Sequence, residues 1–267
     1  MTPDLLDQLG PLGETPQPTA RELRRRRGLF LLPSLFTVGN LFCGYACIVF
    51  AMGGELEMAA PFIGFAFILD SLDGRIARLT GSSSAFGIEF DSLADVISFG
   101  AAPAVLAFEW GLKGQGKIGW AAGFIFMSAG AVRLARFNVL TTAHPTDKRY
   151  FIGMPIPAAA SVIAATIYAF PDLPDGHMQA AAAVAVMLVP AALMVSLVKF
   201  RSFKNINLGW GRSYLPLLFF IVLIALVAER PRITLLVMAY AYLCSGLVEW
   251  LINRLRARRD GRSVPLP

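Results

Sequence analysis

Residues 70–95 read DSLDGRIARLTGSSSAFGIEFDSLAD, and they place four aspartates, Asp70, Asp73, Asp91 and Asp95, inside or beside strongly apolar sequence. An unpaired carboxylate there costs several kcal/mol or is driven to neutrality, so the four need a common compensation. On a helix, Asp70, Asp73, Gly74 and Ala77 fall on one face, and Gly87, Asp91 and Asp95 fall on one face of the next segment. Two helices joined by a short turn over 79–85 would aim four carboxylates at one point, where a hard divalent cation, Mg2+ or Mn2+, is the natural occupant. Gly74, Ala77 and Gly87 keep that surface small, so a bulky ligand can lie against the backbone.

Around this stretch, from about residue 30 to 253, the chain is dominated by apolar runs. With 267 residues, 56% of them hydrophobic, and a mean hydropathy of +0.60, it reads as a multi-spanning membrane protein and not as a soluble domain. Apolar windows fall at 34–53, 57–79, 86–108, 117–140, 155–171, 178–199, 213–228 and 231–253, which predicts an all-α bundle of eight transmembrane helices. The expected organisation is a mobile cytosolic tail over 1–28, a membrane-embedded catalytic domain over 29–253 and a basic cytosolic tail over 254–267. With the N-terminus inside, only Lys113, Lys117, Arg230 and Arg232 of the 24 Lys and Arg lie outside, as the positive-inside rule asks. Both termini and the turn between the aspartate helices are then cytosolic.

The net charge of +6 does not point to nucleic acid, because the basic residues flank apolar runs and form no stripe with interleaved aromatics. Cys43, Cys47 and Cys244 lie in apolar segments without metal-ligand spacing and are expected to be small buried hydrophobes. In the first window, Thr37, Asn40 and Gly44 recur at helical spacing on one face. Two readings of Asn40 stand side by side: a polar clasp between helices, or a group facing a bound nucleotide. Arg133 and Arg136, three apart inside apolar sequence, read as a recognition pair for an anionic group, with snorkelling to the interface as the structural alternative.

Written as D-x2-D-G-x2-A-R-x8-G-x3-D-x3-D, the pattern is filled by Asp70, Asp73, Gly74, Ala77, Arg78, Gly87, Asp91 and Asp95. It resembles the signature of the CDP-alcohol phosphatidyltransferases, integral membrane enzymes that move a phosphatidyl group from a CDP-linked lipid onto an alcohol. The flanking segments LPSLFTVGNLFCG, RLARFN, FIGMPIPAAA and FRSFK are most similar to the phosphatidylserine synthase subfamily, over about residues 30–205.

The resemblance implies CDP-diacylglycerol and L-serine as substrates, phosphatidylserine and CMP as products, two divalent ions, a homodimer, and a place in the bacterial inner (plasma) membrane. It also implies that Asp70, Asp73, Asp91 and Asp95 are metal ligands, with Asp95 in addition the general base. Asn40, Asp70, Gly74, Ala77, Arg78 and Gly87 would bind the CDP-lipid, and Arg133 and Arg136 are candidates for the serine carboxylate. Rival acceptors are glycerol 3-phosphate, inositol phosphate and choline. An ion-coupled transporter is the rival from another class, since intramembrane aspartates also bind transported cations.

Overall fold

The computed structural model describes residues 20–80, 84–143, 150–172, 176–196, 198–201 and 215–259. The middle of the expected turn between the aspartate helices, residues 81–83, and most of both expected tails lie outside them.

Helices coincide with all eight apolar windows. They are α1 (Ala20–Met52), α2 (Leu56–Thr80), α3 (Ala85–Asp95) continued through α4 (Ala102–Ala107), α5 (Lys117–Ala143), α6 (Ile156–Ala169), α7 (Gly176–Val195), α8 (Leu215–Glu229) and α9 (Pro231–Arg259). Helix already runs through the arginines at 24–27, inside the expected tail. Four stretches are long and apolar enough to cross a membrane: Ser34–Met52, Ala85–Gln115, Lys117–Leu140 and Pro231–Ile252. α2 has the length but carries Asp70, Asp73, Arg75 and Arg78, and α6 and the apolar part of α7 are short. The chain is an integral membrane protein with an all-helical body.

The third rod is not a regular α-helix. Between α3 and α4 the backbone widens into a π turn at Val96–Ala101, and a second π turn at Phe108–Leu112 follows α4. Such widenings are rare, occur mostly as single turns inside α-helices and are frequent at functional sites. The first of them begins at the residue after Asp95.

At the centre stands α6, apolar on every side, with Ile156, Ile163 and Ile167 fully buried, as expected of a helix surrounded by others. It packs against α2 and α9, while α1 lies along α2 and α5 along α7. The core joins Ile63, Phe99, Leu106, Phe126, Met154, Met187 and Met194 into one cluster. Cys43 and Cys47 are buried as expected; Cys244 is exposed on α9.

An antiparallel ladder too short for strand periodicity to reveal joins β1 (Tyr150–Ile152) to β2 (Lys199–Arg201), with Phe151 opposite Phe200. It is locked by Gly153, whose φ of +81° is left-handed and whose missing Cβ admits the carbonyl of Met194. The Gly153 N–H donates to the Val198 carbonyl at 2.8 Å and the Met154 N–H to that of Leu193 at 3.0 Å. The opposite end of the bundle is tied by Arg232 to Glu57 at 2.7 Å and by the Trp110 indole N–H to the Phe170 carbonyl at 2.7 Å.

Candidate active site

The aspartates stand on the inward faces of α2 and α3. Ser84 starts α3 as its N-cap: its extended backbone turns the chain, and its Oγ accepts the Gly87 N–H at 3.0 Å. Gly87, one of the small residues of the pattern, is therefore part of the cap, and a Cβ there would stand 3.1 Å from the Ser84 hydroxyl. From this start Asp91 and Asp95 follow one turn apart and face α2.

Asp70, Asp91 and Asp95 each offer one carboxylate oxygen, and these three atoms lie within 4.8 Å of one another. Asp73 is not one of this trio. It is set deeper, 4% exposed, where it faces Asp91 at side-chain hydrogen-bonding range and accepts a hydrogen bond from Thr37 Oγ1 at 3.0 Å. Three like charges so close repel strongly in a medium poorer than water. The Oδ1 atom of Asp91 is buried and meets no hydrogen-bond donor among the described residues. An all-oxygen donor set with an orphaned buried carboxylate oxygen fits a hard divalent cation.

The hydrogen-bond donors to Asp73 and Asp95 among these side chains come from α1. Asn40, wholly buried, donates from Nδ2 to Asp95 Oδ1 at 3.2 Å, and its own main-chain carbonyl accepts the Ser98 hydroxyl at 2.9 Å. α1 thus grips α2 through Thr37, and α3 with its π turn through Asn40.

Residues 30–198 match the family model of the CDP-alcohol phosphatidyltransferases, a stretch that contains every residue of this cluster. The chain belongs to this family. It is 40% identical over 230 residues to the CDP-diacylglycerol–serine O-phosphatidyltransferase of Helicobacter pylori, covering 84% of this chain and 92% of that protein. It is 38% identical over 142 residues to the protein of the same name from Mycobacterium tuberculosis, about half of each chain. With the archaetidylserine synthase of Methanothermobacter thermautotrophicus it shares 35% identity over 171 residues, 63% of this chain and 69% of that one. Membership in this enzyme family removes the transporter reading.

The three arginines expected to meet substrate, Arg78, Arg133 and Arg136, stand in different surroundings. Arg78 is exposed and folds back along α2, its Nη1 lying 3.7 Å from where a Cβ on Gly74 would stand. Arg136 is exposed as well. Arg133, only 9% exposed, stands within electrostatic reach of Asp95 and of Tyr242 on α9, its guanidinium carbon 5.8 Å from the Phe137 ring centroid. Its Nε has no hydrogen-bond partner among the described residues. The expectation that Arg133 and Arg136 act as a matched pair on one face therefore meets two different environments.

Sequence reasoning found the four aspartates, Arg78 and the small residues between them. It passed over Ser98, whose hydroxyl interrupts the apolar run VISFGAAPA, and Tyr242, in a helix with no recognisable motif. It also missed Asn138, which donates to Ser92 Oγ at 2.8 Å and ties α5 to α3, although RLARFN had drawn attention to that segment.

Proposed function

We propose that the chain transfers the phosphatidyl group of CDP-diacylglycerol to the hydroxyl of L-serine, releasing CMP and forming phosphatidylserine. The observation that carries this reading is the convergence of Asp70, Asp91 and Asp95 within 4.8 Å, beside the small faces of α2 and α3, in a member of this family. Serine as acceptor is supported by the names of the relatives. The buried Arg133 is a cation of the kind a carboxylate-bearing acceptor needs.

In this reading Asp70, Asp73, Asp91 and Asp95 would hold two divalent ions, Mg2+ or Mn2+. Bound there, such ions would neutralise the diphosphate and the charge that develops on the departing CMP. Gly74, Ala77 and Gly87 leave room for the cytidine, and Arg78 holds an oxygen of the diphosphate. Asn40 reaches the CDP-lipid site only from behind Asp95, since it is wholly buried. Arg133 takes the serine carboxylate and so presents the hydroxyl to the cluster, while Arg136 lies nearer the headgroup layer.

Asp95 accepts the hydroxyl proton. The serine oxygen then bonds to the phosphorus that carries the diacylglycerol, and the bond from that phosphorus to the CMP oxygen breaks. Burial helps Asp95 and Arg133 by excluding competing water, which would hydrolyse the lipid instead. The homodimer, the inner bacterial membrane and a cytosol-facing site belong to the same proposal, supported by the positive-inside charge pattern for orientation and by the family resemblance for the rest.

The test is an acceptor screen with purified protein, CDP-diacylglycerol and Mn2+ or Mg2+, following CMP release as serine, glycerol 3-phosphate, inositol phosphate and choline are offered singly. Release with serine alone is expected. Release with one of the others alone would keep the aspartate chemistry and reject serine.

A further inference from the structure

α1 carries no charge near the cluster, yet it supplies hydrogen bonds to one aspartate of each facing helix. Thr37 Oγ1 donates to Asp73 on α2 at 3.0 Å and Asn40 Nδ2 to Asp95 on α3 at 3.2 Å. A carboxylate only accepts, so the Asn40 amide must turn its NH2 toward Asp95. Its oxygen is then left buried without a donor among the described residues. Leucine, of similar size, would remove that orphaned oxygen, but it would take from buried Asp95 Oδ1 the hydrogen bond that Asn40 supplies. An amide kept here is explained by what its NH2 does for Asp95.

The surroundings of Asn40 are built for fixed geometry. Its main-chain carbonyl receives the Ser98 hydroxyl from the π turn that opens after Asp95. One turn along α1, Gly44 lets that π turn approach so closely that a Cβ would stand 2.5 Å from Ser98 Oγ and 2.7 Å from its Cα. The widened backbone brings Ser98 back onto α1 only three residues after Asp95. Asp95 is thus held by its side chain and by the segment that follows it, and both grips end on the same asparagine.

We infer that Thr37 and Asn40 are positioning residues, with α1 acting as a strut between the two aspartate helices. Thr37 fixes the depth of Asp73, and Asn40, bonded to Asp95 Oδ1, fixes the rotation of that carboxylate so that it can serve the cation and still face the reacting hydroxyl. This rests on the reading of Asp95 as the base in the proposed transfer. It differs from a nucleotide-contact role for Asn40 in what the kinetics would show.

The experiment uses the full chain, purified, as wild type and as Asn40→Leu, Thr37→Val and Thr37→Ser. Two readouts are taken: steady-state CMP release with CDP-diacylglycerol and serine varied, and Mn2+ binding without substrate, followed by the electron paramagnetic resonance signal of free Mn2+. Asn40→Leu is expected to lower kcat by roughly 10- to 100-fold with KM for CDP-diacylglycerol within about twofold. Thr37→Val is expected to weaken Mn2+ binding about tenfold, and Thr37→Ser, which keeps the hydroxyl, to restore it to within about threefold. A raised KM for CDP-diacylglycerol at unchanged kcat in Asn40→Leu would make Asn40 a nucleotide contact and overturn the inference. Equal Mn2+ binding by Thr37→Val and Thr37→Ser would overturn the strut. Wild type that releases CMP only with another acceptor would reject serine, and the kcat and Mn2+ comparisons would then decide the positioning roles with that acceptor.

Discussion

The two ends of the bundle use charge in opposite ways. At the end that holds them, Glu57 and Glu109 have basic partners, Arg232 at 2.7 Å and Lys113 at 3.0 Å respectively. Both pairs are solvent-exposed in part; Arg232–Glu57 links α9 to α2 and Lys113–Glu109 is an i,i+4 pair within one segment, which is the behaviour of structural charge. At the other end three carboxylates crowd within 4.8 Å, and the hydrogen bonds that reach Asp73 and Asp95 come from the neutral groups of Thr37 and Asn40. The first arrangement adds a little stability. The second costs stability in the metal-free protein and makes sense only as a site kept for a cation and a reaction.

Four experiments would break or sharpen that contrast. Chelation should have the largest effect, taking CMP release to background, with recovery on adding Mn2+ or Mg2+; turnover that persists in excess chelator would remove the reason for the acidic cluster. Asp91→Asn should lower kcat/KM at least about 10³-fold, equivalent to about 4 kcal/mol of transition-state stabilisation. Its metal-free thermal midpoint should stay equal to or above that of wild type, because a like charge has been removed.

Next in size are the arginines. Arg133→Ala should raise KM for serine about tenfold or more, as expected for loss of a buried charge-assisted contact, whereas Arg136→Ala should change it by about twofold at most. Equal effects would mean that the difference in burial does not matter to the acceptor. The smallest effect belongs to the opposite end. Glu57→Ala should cost about 0–1 kcal/mol in chemical unfolding and leave turnover within about twofold, and a large loss of activity would join the two ends that the structure keeps apart.

How much of this was legible in the sequence follows from the range of the interactions. Carboxylates in apolar sequence announce themselves locally, and the spacing of Asp70, Asp73, Asp91 and Asp95 places them on helix faces without knowledge of neighbours. The rods were legible for the same reason, since the bilayer imposes a length on each apolar run. Contacts that join distant segments were not. Asn40 and Asp95 are 55 residues apart, and nothing in LFTVGNLFCG says which helix α1 meets.

Arg133 and Arg136 show a finer limit. Residues three apart on a helix differ by about 60° around the axis, so one can be buried and the other exposed depending on which neighbour covers α5. The π turn at Val96–Ala101 leaves no periodic trace, because it depends on the fit of Ser98 against α1 at Gly44 and not on local propensity. The β1–β2 ladder, three residues on each side, is shorter than any alternation pattern can establish.

The most direct measurement titrates Mn2+ into metal-free wild type and Asp91→Asn while following thermal unfolding, with CMP release assayed on the same preparations. The account predicts stabilisation of wild type alone, about 2.7 kcal/mol at a hundred times the Kd, with CMP release rising over the same Mn2+ range. Equal stabilisation of both proteins, or turnover by Asp91→Asn at the wild-type rate, would contradict it and move the reaction away from the carboxylates of α2 and α3.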